Sequence, residues 1–97
     1  MSKQKILEQL KKYKEQNSFK YGINALGIFG SVARGQEKPD SDIDIFVKTE
    51  TPNPFLVVHI KEDLEKLFLT HVDIVRIREN MSTYLKNRID QEGIYVR

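Results

Sequence analysis

Apolar residues recur at intervals of three and four through the start of the chain. Ile6, Leu7, Leu10 and Tyr13 stand among lysines, glutamates and glutamines, which predicts an amphipathic first helix over Ser2–Gln16 with one face turned to a core. Asn17 to Asn24 is a polar connection containing Gly22. Its aromatics, Phe19 and Tyr21, are assigned to the core, with a place in a base pocket as the alternative. Ala25 to Phe29 is a short apolar run ending at a glycine, the pattern of a buried strand, Ala25–Gly30. A one- or two-turn helix, Ser31–Arg34, follows, closed by Gly35. Gln36–Asp40, with Pro39, then reads as a surface turn. From Asp42 to Lys48 the pattern alternates with period two: Asp42 and Asp44 fall on one face of a strand, Ile43, Ile45 and Val47 on the other. Asn53-Pro54 starts another helix with Val57, Ile60, Leu64, Leu67 and Phe68 on one side. His71–Ile77 is a third strand. Asn80 or Ser82 opens a last helix that runs to Glu92 and stops at Gly93, its apolar face made of Tyr84 or Leu85 with Ile89. Ile94-Tyr95-Val96 then returns to a sheet edge or meets a partner. This order predicts an α/β two-layer fold, a small mixed sheet with helices on one face and the other face open for substrate.

Composition narrows the class. With 97 residues and a 39% hydrophobic share, the chain has room for a single core, and one domain over residues 1–97 is expected. No apolar stretch approaches membrane-spanning length, and the polar, basic start lacks the apolar segment of a secretory signal. Cysteine is absent, which removes disulfides and thiolate metal sites and fits a cytoplasmic location. A net charge of +2, from 16 basic and 14 acidic residues, is too balanced to argue for nucleic-acid binding. Lys11, Lys12 and Lys14 read as a solvated helix face, as do Lys86 and Arg88, with contact to nucleotide or partner as the alternative for the latter two.

The chemistry concentrates between Gly30 and Asp44. A strand that feeds a short helix through Gly30-Ser31 presents backbone N–H groups and a hydroxyl to an anion, a seat for phosphate. Asp42 and Asp44 lie side by side. Adjacent carboxylates resist joint ionisation unless a cation lies between them, and hard oxygen ligands favour Mg²⁺. Arg34 has two readings: it steadies a triphosphate, or it orders the turn through an ion pair with a nearby carboxylate. His71 is read as a satisfied or exposed histidine and not as a ligand, since Mg²⁺ prefers oxygen.

Gly30-Ser31, a short linker and Asp42-x-Asp44 resemble the signature of the nucleotidyltransferase superfamily related to DNA polymerase beta. More narrowly, Gly-Ser-x-Ala-Arg-Gly over Gly30–Gly35, the gap, Ser41-Asp42-Ile43-Asp44 and the later Val72-Asp73-Ile74-Val75 resemble the minimal nucleotidyltransferases, antitoxins that act beside HEPN-domain ribonuclease toxins. The resemblance implies the nucleotidyltransferase fold, with Asp73 as a third carboxylate converging on Asp42 and Asp44. It implies transfer of AMP from ATP to a hydroxyl, with two Mg²⁺ ions held by Asp42, Asp44 and Asp73 and the triphosphate held by Gly30, Ser31 and Arg34. It further implies a HEPN toxin as partner, with a tyrosine as acceptor, in a type VII-like toxin-antitoxin pair. Two alternatives stay open: a non-catalytic binding antitoxin with a vestigial nucleotide site, and a small-molecule transferase of the aminoglycoside type. The latter group usually carries an additional acceptor-binding domain.

Overall fold

The computed structural model describes residues 2–36 and 42–97. Residues 37–41, which include Ser41 and most of the expected surface turn, lie outside the described residues, as does Met1. The chain runs α1 (Lys3–Tyr21), β1 (Ile23–Phe29), α2 (Gly30–Ala33), β2 (Ile43–Thr49), α3 (Pro54–Phe68), β3 (Val72–Arg76), α4 (Thr83–Glu92) and β4 (Ile94–Tyr95). The element order is the expected one. Several boundaries differ, each for a local reason.

Ser2 caps α1, its Oγ accepting the Lys5 N–H at 3.2 Å. The helix continues past Gln16 to Tyr21 and stops only at Gly22, which adopts the left-handed conformation at φ 63° and donates its N–H to the Ser18 carbonyl. No glycine precedes Gly22, so a helix expected to run about four turns gains the further residues 17–21. The extension corrects one expectation: Phe19 lies outside the apolar stripe of Ile6, Leu10 and Tyr13 and is fully exposed. Tyr21 remains packed against the core, its hydroxyl donating to Asp63. On α3, Leu67 similarly falls at the edge of the stripe formed by Ile60, Leu64 and Phe68, and is exposed.

The sheet order is β3-β2-β1-β4. β2 pairs antiparallel with β1 and parallel with β3, the crossover being α3; β4 adds antiparallel to the free edge of β1. The sheet is therefore mixed, as expected. α1 and α3 cover one face, where Leu26, Ile28, Ile45, Val47, Leu64 and Val72 are wholly or almost wholly buried. Burying each such side chain stabilises the fold by about 1.5–3 kcal/mol. The Tyr13 hydroxyl donates to Asp63 at 2.8 Å, and its removal from water pushes the Tyr13 phenol far above its ordinary range. That bond ties the two helices together.

The opposite face is not wholly open. Phe29 and Phe46 project from it, and α4 lays Ile89 and Leu85 over them, with Val75, Ile77 and Met81 at the margin. The physical reason is Phe46: the strand alternation places it on the same face as Asp44, where a bare aromatic ring would be costly. Helices on one face thus holds for α1 and α3, while α4 closes part of the substrate side. Among the described residues no helix is long and apolar enough to cross a membrane.

Candidate active site

The registers of two strand pairs assemble the site. Asp44 sits opposite Phe29 across β1–β2 and beside Asp73 across β2–β3. Partners in register project from the same face, so the two aspartates are neighbours on strands about 4.8 Å apart. Asp42 lies one residue ahead of β2 and is exposed. Asp44 is half-buried. Burial lifts its carboxyl above the ordinary aspartate range; Asp73 raises it further, Arg88 opposes, Asp42 raises it again and Arg34 opposes last. Among the described residues, no three carboxylate or imidazole side chains close into a ready-made metal cage. The donor set nevertheless fits a hard divalent cation, because positive charge there would relieve the penalty on Asp44.

Gly30 follows β1 directly, at φ 75°. A Cβ at this position would collide with the Asp44 carboxylate, so only glycine lets the turn press against the acid. Here the phosphate-type turn and the carboxylates meet, as the spacing suggested. The short helix starts at Gly30 and is capped by Arg34, one residue earlier than expected at each end, because Gly30 can already take up the turn. Ser31 is half-buried in its first turn.

Arg34 makes the ion pair named in its second reading, an arrangement compatible with the first as well: Nη1 donates to Glu92 Oε1 at 2.9 Å, while Nε donates to Gln36 Oε1 at 3.1 Å. Glu92 was assigned only to the end of a helix, and Arg88 to a solvated helix face with contact to nucleotide or partner as the alternative. Both belong to the site. Glu92 Oε2 accepts the Gly30 N–H at 2.9 Å, and the Arg88 guanidinium lies over the Phe29 ring, 5.4 Å from its centroid. Little in the chain pattern marks Glu92, which falls among other charges. The helical spacing of Leu85, Ile89 and Glu92 over one face was the available signal. His71 stays at the surface beside Glu65, its side chain 88% exposed.

Residues 4–97 match the family described as polymerase beta, nucleotidyltransferase. The protein adenylyltransferase MntA of Thermococcus cleftensis is 32% identical to this chain over 85 residues, covering 87% of this chain and 85% of that protein. A solved structure described as a minimal nucleotidyltransferase superposes with a TM-score of 0.77 at 28% identity, covering 97% of this chain and 95% of its own. An MNT antitoxin solved with a tri-AMPylated Shewanella oneidensis HEPN toxin gives a TM-score of 0.73 at 22% identity, covering 98% of this chain and 71% of that one, a likeness of fold.

Proposed function

Because this chain belongs to the polymerase beta nucleotidyltransferase family, we propose that it is a protein adenylyltransferase. It moves AMP from ATP to a hydroxyl, the tyrosine of a cognate HEPN toxin, and so acts as the antitoxin of a type VII-like pair. The observation that carries this reading is the Gly30 turn pressed against Asp44 with Asp73 alongside, which joins an anion seat to a carboxylate pair. The names of the relatives supply the donor and the acceptor class.

In this reading the whole of residues 1–97 forms one nucleotidyltransferase domain, working in the cytoplasm, with neither nucleic acid nor membrane as direct partner. Asp42, Asp44 and Asp73 would hold two Mg²⁺ ions, which supply charge stabilisation to the triphosphate and the departing pyrophosphate. Gly30, by letting the turn approach closely, and Ser31, through its backbone N–H and hydroxyl, hold the β- and γ-phosphates; Arg34 adds charge at the edge of the turn. The acceptor oxygen bonds to the α-phosphorus, the bond from that phosphorus to the α–β bridging oxygen breaks, and Asp73 takes the hydroxyl proton. A site half-closed by α4 orients the nucleotide and limits water.

The test is intact-mass spectrometry of the HEPN partner after incubation with this protein, Mg²⁺ and each nucleoside triphosphate in turn. The expected result is a gain of one or more AMP units with ATP, falling at least about 100-fold in rate in Asp44→Asn, since removal of a metal ligand costs more than removal of a group behind it. Transfer by Asp44→Asn near the wild-type rate would overturn the assignment. A silenced but unmodified partner would favour the non-catalytic binding antitoxin.

A further inference from the structure

Glu92 is a costly residue where it stands. It ends α4, at the negative pole of the helix, where a carboxylate is disfavoured. The last turn of α4 contains no basic residue to offset it. Its side chain is only 20% exposed. What compensates the carboxylate is the Gly30 N–H at 2.9 Å and Arg34 Nη1 at 2.9 Å, both from the turn after β1, with Arg88 Nη2 at 3.6 Å from one turn back on α4. Although burial pushes its carboxyl upward, the Gly30 N–H bond and the charges of Arg34 and Arg88 together hold it below the ordinary glutamate range, so it is ionised at neutral pH.

The placement is enforced by the fold. Immediately after Glu92 the chain reverses at Gly93, where a Cβ would meet the Ile89 carbonyl and the Phe46 ring. Ile94 and Tyr95 then pair with Ile28 and Gly27 of β1, the strand that ends at Gly30. The end of α4 and the phosphate-type turn are therefore fastened to the same strand. Arg34 is pinned at two nitrogens, Nε on Gln36 and Nη1 on Glu92, which sets the plane of its guanidinium. Arg88 is held between the Phe29 and Tyr84 rings, at 5.4 and 5.8 Å from their centroids.

We propose that Glu92 is a positioning residue for nucleotide binding: its carboxylate holds the Gly30 turn against Asp44 and gathers Arg34 and Arg88 on the same side, where the two arginines receive the triphosphate. Against Glu92 alone the two guanidinium groups carry one charge in excess, available to a polyphosphate, while the opposing charge of Asp42, Asp44 and Asp73 would be met by the divalent ions. Arg88 thereby becomes a second triphosphate contact beside Arg34. This inference rests on the nucleotidyltransferase reading of the site.

The experiment titrates ATP with Mg²⁺ into the full chain and into Glu92→Gln and Glu92→Ala, alongside thermal unfolding and the Gly30 amide resonance. Glu92→Gln keeps the shape and an acceptor for the Gly30 N–H, and loses the charge that collects the arginines. It is expected to unfold at nearly the wild-type temperature while ATP affinity falls about 10-fold, the scale of a charge-assisted hydrogen bond, with KM rising more than kcat falls. Glu92→Ala, which also frees the Gly30 N–H, is expected to shift the Gly30 amide and to lose more affinity. Unchanged or tighter ATP binding in both variants would overturn the inference, as would losses that only track the unfolded fraction. Failure of the unaltered protein itself to bind ATP would instead overturn the nucleotidyltransferase reading, and the inference with it.

Discussion

At the scale of single residues, Asp44 is where folding and chemistry conflict. Burial and the neighbouring Asp73 hold its carboxyl above the ordinary range, so between the ordinary aspartate pKa and the raised one the folded chain binds more protons than the unfolded chain. Without a divalent ion, stability from this group is present below that window and is lost as pH rises through it. Asp44→Asn removes the penalty. In EDTA at neutral pH, differential scanning calorimetry should give Asp44→Asn a higher Tm than the unaltered protein, and the difference should vanish below the ordinary aspartate range. A lower Tm for the variant at neutral pH would show that the carboxylate stabilises the fold. Gly30 belongs to the same conflict: the close approach that makes the turn useful also crowds the acid. Both residues stand out in the chain by type and spacing. Glu92 does not, because two of its partners, Arg34 and Gly30, at 58 and 62 positions' separation, are neighbours only in space.

At the scale of elements, α4 decides what the second face can do. It packs on Phe29 and Phe46 through Ile89, away from the core beneath α1 and α3. Two truncations separate these roles. Ile60→Ala and Ile89→Ala should each cost about 2–5 kcal/mol in urea unfolding, since both remove buried aliphatic volume. Only Ile89→Ala should also weaken ATP binding in the molecules that remain folded, because it loosens the helix that carries Arg88 and Glu92. Equal binding by the two folded variants would mean that α4 serves the sheet alone. The packing of α4 over the aspartate face was not legible from periodicity. Leu85 and Ile89 announce a helix with an apolar side, but a helical stripe does not say which face of a sheet it covers.

At the scale of the whole molecule, the central pair β1–β2 is flanked on both edges and covered by α1 and α3, whereas β4 contributes only two residues. Native-state hydrogen exchange should therefore be slowest at the amides of Leu26, Ile28, Ile45 and Val47, and faster by orders of magnitude in the last turn of α4 and in β4. Equal protection throughout would make the site as rigid as the core. The order of elements, the α/β class, the mixed-sheet family resemblance and the chemical types gathered between Gly30 and Asp73 were determined by the sequence alone, because period-two and helical patterns, glycines and carboxylates act through local geometry and intrinsic chemistry. Tertiary structure alone decided that α4 closes part of the second face and that Glu92 meets Gly30 and Arg34. Those outcomes depend on strand register and on which faces meet, contacts made between residues far apart in the chain that no local pattern encodes.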